Sequence, residues 1–174
     1  MSTEIKSQSI LIVDDSVSIL GYLSASLKDH GYEIYTATNG SLAVEVAIDK
    51  IPDLILLDIN MPEMDGYEAC RALKNDKRTK EIPVVFISIQ EDKLNKLKAF
   101  EVGAIDYITK PIIIEETLAR VGVHLKLSSK IAELEEFNKI MVDREMRIIE
   151  LKNEVNELAL KLGSKGPYPE VWDD

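Results

Sequence analysis

Leu54-Ile55-Leu56-Leu57-Asp58 decides the fold. Four aliphatic residues in a row suit a strand buried on both faces, the kind found inside a parallel sheet. The run ends on a carboxylate, and a charge at the tip of a buried strand is expensive unless something pairs with it. In open parallel α/β sheets, ligands bind beyond the carboxyl ends of the strands. Asp58 therefore stands where chemistry is done; the plainer alternative is a helix cap or a solvated loop aspartate.

Working outward, Ser9-Ile10-Leu11-Ile12-Val13 is a second apolar strand, and it too runs into acid, Asp14-Asp15. A helix follows, with Ser16 near its start, Ile19, Leu20, Leu23 and Leu27 at helical spacing, and Gly31 as a stop. Glu33 to Ala37 is a short strand, Asn39-Gly40 turns the chain, and Ser41 is placed to cap a helix running to about Asp49. Beyond Asp58 the pattern predicts a loop, Asn60 to Gly66, and a helix from Tyr67 to about Asn75. It then predicts a strand from Pro83 to Ser88, a helix from Asp92 to Val102 and a fifth strand from Asp106 to Thr109, with Pro111 at the entry to the next helix. Such strand–helix alternation argues for a doubly wound parallel sheet with helices on both faces. Right-handed crossovers bring the strand tips to one edge, and Asp14, Asp15, Asp58, Ser88 and Lys110 all fall at those tips.

The 174 residues suffice for one full domain and an appendage, and a hydrophobic content of 45% permits a real core. A net charge of −10 disfavours non-specific binding to nucleic acid or to anionic membrane. No apolar run is long enough for a transmembrane helix, and the first residues lack the apolar core of a signal peptide, so a cytoplasmic protein is expected. Cys70 has no second cysteine to pair with and reads as a small buried residue in a helix.

After Pro111 the character changes. From Leu127 to Leu162 there is no Pro or Gly, and Leu127, Leu134, Met141, Ile148, Val155 and Leu162 recur every seven residues. Phe137, Leu151 and Leu158 add the second seam position, which Lys130 and Arg144 interrupt. This is a heptad seam. If the last domain helix runs on unbroken it spans about 50 residues, or ~75 Å at 1.5 Å per residue. The expected organisation is a flexible N-terminus over 1–8, a globular domain over 9–126, a coiled-coil helix over 127–162 continuous with the domain's last helix, and a flexible tail over 163–174.

Three clustered carboxylates repel one another, and a hard divalent cation resolves the repulsion; oxygen ligands with room for water suit Mg²⁺ better than zinc. His30 and His124 are expected far from the strand tips. Mg²⁺, a lysine, a hydroxyl and a carboxylate together suit a phosphoryl group, with Asp58 as nucleophile, Asp14 and Asp15 as metal ligands, and Lys110 and Ser88 gripping phosphoryl oxygens.

At this point the sequence resembles the receiver domain of bacterial two-component response regulators over about residues 8–126. The matching pieces are Ile10-Leu11-Ile12-Val13-Asp14-Asp15, Leu54 to Asp58, Met61-Pro62-Glu63-Met64-Asp65-Gly66, Phe86-Ile87-Ser88, and Gly103 to Pro111. The resemblance implies a CheY-like, flavodoxin-like fold with strand order 2-1-3-4-5. It implies that Asp58 accepts a phosphoryl group from a histidine kinase or phosphotransfer protein, that Asp15, Asp58 and the Asn60 carbonyl bind Mg²⁺ directly, and that Asp14 helps through water. Ser88 and Tyr107 match the family's switch pair, and the face that changes would be the helix Asp92–Val102, strand 5 and the final helix.

Two positions depart from the family. Ile89 follows Ser88 where a small residue is usual, which predicts slower entry of small phosphodonors and slower loss of phosphate. Ile112 stands where Phe is common, with packing consequences only. No familiar output domain follows in this sequence, so the heptad helix is either itself the output or a linker to a domain outside this chain; it is expected to form a parallel homodimer with no nucleic-acid or membrane partner. The main alternative is a dimerising adaptor that uses a receiver fold without depending on phosphorylation. A turnover phosphatase with an aspartyl intermediate is disfavoured because Asn60 stands where such enzymes place an acid, and a flavin-binding relative is disfavoured because Asp14-Asp15 would repel its phosphate.

Overall fold

The computed structural model describes residues 7–89, 98–166 and 168. The chain divides into two units, Met1–Ser128 and Ser129–Asp174.

The first unit is built from β1 (Ser9–Val13), α1 (Val17–Asp29), β2 (Glu33–Ala37), α2 (Gly40–Lys50), β3 (Leu54–Asp58), α3 (Gly66–Asn75), β4 (Val84–Ser88), a helical segment α4 over 98–101, β5 (Asp106–Thr109) and the start of α5 (Ile114–Lys161). The remainder of the expected helix from Asp92 falls largely outside the described residues. Every strand pair is parallel, and the order is β2-β1-β3-β4-β5, as the resemblance implies. β1, β3 and β4 are buried at every position, which is what their unbroken aliphatic runs require.

Alternate residues of these strands feed two cores. Leu11, Val13, Ile55, Leu57, Val84 and Phe86 join Ala43, Ala47, Cys70 and Ala99 from α2, α3 and α4 on one face. Ile10, Ile12, Leu54, Leu56, Val85 and Ile87 join Leu20, Leu23, Leu27, Val121 and Leu125 from α1 and α5 on the other. The sheet is thus covered on both sides, and its three central strands β1, β3 and β4 are buried along their whole length.

Local signals set the ends of the elements. Gly31, at φ 88°, lets α1 close with Tyr32 N–H on Leu27 O and Gly31 N–H on Lys28 O. α2 is capped by Asn39 rather than by Ser41: Asn39 keeps extended backbone and its side chain accepts Leu42 N–H at 2.8 Å, whereas Ser41 already lies inside the helix. α3 opens on a reciprocal capping box between Asp65 and Glu68. Pro111 does not open the last helix. Its peptide bond to Lys110 is cis and α5 begins three residues later at Ile114.

In the second unit, α5 continues to Lys161 and closes on Gly163, at φ 76°, with Ser164 N–H on Ala159 O. Asn156 meets the backbone of Tyr168 twice, donating to its O at 2.9 Å and accepting its N–H at 3.1 Å. The heptad positions Leu134, Phe137, Met141, Ile148, Leu151, Val155 and Leu158 are all exposed.

Candidate functional site

Register builds the site. Val13 pairs with Leu57, so the next residues, Asp14 and Asp58, stand side by side where two buried strands end. Asp58 pairs with Ile87 and Ser88 with Thr109, which brings the last hydroxyl of β4 and the lysine after β5 to the same edge. Lys110 N–H donates to Ser88 O at 2.7 Å and locks those two tips together.

Asp14, Asp15 and Asp58 each offer a carboxylate oxygen, and these oxygens lie within 4.8 Å of one another. Asp14 and Asp58 are buried and Asp15 is exposed, so the cluster has a solvent side. Asp14 is held twice: Oδ1 accepts Ser16 N–H at 2.8 Å, and Oδ2 accepts the Lys110 ammonium at 2.9 Å. Ser16 therefore precedes α1 without a side-chain cap bond of its own, and its backbone positions the acid instead. Lys110 Nζ also stands 3.2 Å from Asp58 Oδ1, but without the alignment of a hydrogen bond, which leaves that buried oxygen with no hydrogen-bond partner among the described residues.

Burial pushes the Asp58 carboxyl above its ordinary value, Asp14 adds to the shift, and Lys110 opposes it. For Lys110, burial works against the charge, yet the hydrogen bond to Asp14 and the charges of Asp58 and Asp14 outweigh it, so the ammonium is held more firmly than usual. One lysine facing two buried acids leaves negative charge uncompensated. Three close oxygen donors with an open side fit a hard divalent cation, and no imidazole or thiol competes in this cluster.

A contact that sequence reasoning did not single out shapes the floor of the site. Gly66 N–H donates to Ile59 O at 2.9 Å, and a Cβ at Gly66 would lie 2.3 Å from the Asp58 carbonyl oxygen. α3 can start this close to the end of β3 only because its first residue has no side chain. The visible signal was Asp65 with Glu68 three residues on, which marks the helix start at that glycine.

The other expected residues are placed as follows. Ser88 ends β4 and is buried; Asn60 is exposed on the loop just after Asp58; Tyr107 is half-buried in β5 and packs against the core shared with α2, α3 and α4. Ile89 is 63% exposed beside Ser88. His124 lies at the opposite end of β5, with Nε2 2.9 Å from Asp106 Oδ2, and Arg120 grips the same carboxylate. Cys70 is buried, and burial raises its thiol to about 11.

The family model for the response regulator receiver domain matches residues 10–122. The chain belongs to that family. The receiver is 36% identical over 132 residues to the DNA-binding dual master transcriptional regulator RpaA of Synechocystis, a match covering 76% of this chain and 55% of that protein. The chain thus spans about half the length of that relative. Among solved structures, the receiver resembles Vibrio cholerae chemotaxis protein CheY4 at 33% identity and TM-score 0.65, covering 67% of this chain and 97% of that one. It also resembles the receiver domain of the Pseudomonas aeruginosa sensor histidine kinase PA1611, at 25% identity and TM-score 0.65, covering 69% and 98%. That structure has a magnesium ion coordinated in its active-site cleft. The chain is therefore a signalling receiver of the two-component type with an acidic site of the kind at which receivers bind Mg²⁺. Among the described residues, no helix is long and apolar enough to cross a membrane.

Proposed function

We propose that Asp58 accepts a phosphoryl group from the phosphohistidine of a histidine kinase or phosphotransfer protein. What carries this reading is a buried carboxylate whose Oδ1 is ion-paired with Lys110 at 3.2 Å but accepts no hydrogen bond among the described residues, set beside two further acids at the strand tips. A carboxylate oxygen of Asp58 attacks phosphorus, the O–P bond forms, the N–P bond breaks, and imidazole leaves with the electron pair. Lys110 neutralises charge on the transferred group, and Ser88 offers it a hydroxyl. Asp14, Asp15, Asp58 and the Asn60 carbonyl would hold Mg²⁺, which when bound cancels repulsion between the donor phosphate and the attacking carboxylate. Ser88 and Tyr107 act as the switch pair, passing occupancy of the site to α4, β5 and α5.

The second unit serves as the output by joining two copies of the chain through its heptad seam. The relative RpaA is a DNA-binding regulator by name, but a net charge of −10 argues against nucleic-acid contact by this chain.

The test is the molar mass and shape of the full chain, by light scattering on a sizing column, with Mg²⁺ alone and with Mg²⁺ plus beryllofluoride. A change produced by the phosphoryl mimic and absent in Asp58→Ala is expected. A dimer that ignores the mimic favours an adaptor that pairs without phosphorylation.

A further inference from the structure

The charges flanking the seam of α5 specify more than association. With Leu127 as position a, the d positions are Lys130, Phe137, Arg144, Leu151 and Leu158. The e positions are Ile131, Asn138, Glu145, Lys152 and Ala159, and the g positions are Glu133, Ile140, Arg147, Glu154 and Lys161. In a parallel, in-register pair, identical d residues face each other, and each g residue meets the e residue five further along the partner. That arrangement sets Arg144 against Arg144 and Lys130 against Lys130 inside the seam, and Arg147 against Lys152 twice on its flanks. The remaining flank pairs, Glu133 with Asn138, Ile140 with Glu145 and Glu154 with Ala159, bring no opposite charges together. Parallel pairing thus collects like charges and no compensating attraction.

An antiparallel pair behaves differently, because a faces d of the partner, g flanks g, and e flanks e. Place Ile148 opposite Leu151 of the second copy. Met141 then faces Leu158, Leu162 faces Phe137, and Val155 faces the stem of Arg144, which lies far from its own counterpart. On the flanks Arg147 meets Glu154 twice and Glu145 meets Lys152 twice, and no like charges meet. In the single helix Arg147 already leans along this flank, 3.0 Å from Glu150 and 3.7 Å from Glu154. Sliding by one heptad undoes the match. One direction sets Arg147 on Arg147 and Glu145 on Glu145; the other sets Glu154 on Glu154 and Lys152 on Lys152. Charge therefore selects both direction and register.

We propose that two copies of this chain pair antiparallel through Phe137–Leu162, centred between Ile149 and Glu150. This rests on the reading that the second unit joins two copies, though not on phosphorylation, and it replaces the expected parallel homodimer. The residues that would be covered are exposed in the single chain, Phe137 at 59%, Leu151 at 44% and Leu158 at 58%. All of them lie within the second unit, Ser129–Asp174.

The experiment is disulfide trapping in the full chain, with buried Cys70 left in place and the wild type as its control. A mixture of Met141→Cys and Leu158→Cys chains should cross-link on mild oxidation, whereas Leu158→Cys alone should not, because its two copies would stand 17 residues or ~26 Å apart along the helix. Cross-linking of Leu158→Cys alone overturns the antiparallel direction and leaves the pairing reading standing. A monomeric mass at all concentrations overturns the pairing reading itself. A second measurement needs no cysteine. Lys152→Glu turns two attractions into repulsions in the antiparallel pair and should weaken the dimer about tenfold, with Glu145→Lys added on top restoring it. In a parallel pair Lys152→Glu would instead strengthen the dimer by facing Arg147, so a tightened dimer also overturns the proposal.

Discussion

Leu56 and Leu151 are the same side chain in opposite circumstances. Leu56 is fully buried in β3 within its own chain, while Leu151 is 44% exposed on α5. The first unit settles its apolar surface internally, in two cores on either side of a sheet. The second is a helix whose heptad residues stand exposed among the described residues. A closed core leaves little contiguous apolar surface to offer a partner, whereas an exposed apolar stripe is suited to association.

If that division is right, chemistry and assembly separate by mutation. The largest effect is expected from Asp58→Ala: phosphate uptake from a phosphorylated donor, followed by radiolabel, falls to background, while circular dichroism shows the fold retained. Residual labelling at the wild-type level would sink the acceptor assignment. Next, Leu56→Ala should lower the stability of the first unit by about 2–5 kcal/mol in urea unfolding, because it opens a cavity in a closed core. Leu151→Ala should change that same transition by less than about 0.5 kcal/mol and instead weaken dimerisation. Equal effects of the two substitutions on that transition would erase the distinction between the units.

Gly66→Ala sharpens the picture at the site. The added carbon must displace α3 from the Asp58 carbonyl, so a loss of about 1–3 kcal/mol is expected, together with slower phosphorylation. Asp106→Asn tests the far edge. Burial alone would raise the Asp106 carboxyl, but hydrogen bonds from His124, from the Tyr107 backbone and from Arg120 outweigh it and hold the group below its ordinary value. A carboxyl with a lowered folded pKa contributes stability above its unfolded pKa and loses that contribution as pH falls through the folded one. Asp106→Asn should therefore cost about 1–2 kcal/mol near pH 7, and the gap to the wild type should narrow below about pH 4. A gap that widens with acid would contradict the ion-pair account. The smallest effect is expected at Ile89. Its side chain stands mostly in solvent rather than filling the site, so Ile89→Ala should speed loss of phosphate only severalfold, read as the decay of labelled protein.

Much of this was legible in the sequence, for definite reasons. β1, β2, β3 and β5 have the bounds their patterns predict: β1 and β3 are aliphatic runs that end in acid, and β2 and β5 are short segments fixed by the turn residues around them. The convergence of Asp14, Asp15 and Asp58 followed from strand alternation, since parallel strands with right-handed crossovers put their carboxyl ends together. The misses are local or long-range. Asn39 caps α2 in place of Ser41 because one residue's backbone, extended or helical, decides which side chain can reach back. Pro111 suits a helix entry by composition, yet α5 begins three residues further on at Ile114, a boundary set by packing that composition does not register. The need for glycine at position 66 comes from a carbonyl eight residues earlier in the chain, which no periodicity registers. The heptad spacing shows that α5 has a seam, but direction lies in the e and g charges, which must be tried in both orientations before they discriminate.

Gly40 opens α2 at a point of close approach. A Cβ there would meet both Cγ and the backbone oxygen of Met64 at 2.7 Å, so the first residue of α2 lies against the loop that follows Asp58. Shortening Met64 would remove one obstruction and leave the other, because a backbone oxygen cannot be substituted away. A larger residue at 40 is therefore only partly relieved by shortening the side chain at 64. Substitutions at the two positions should be epistatic, and the route by which this loop can diverge runs through rebuilding its backbone, with α2 held to glycine until that has happened.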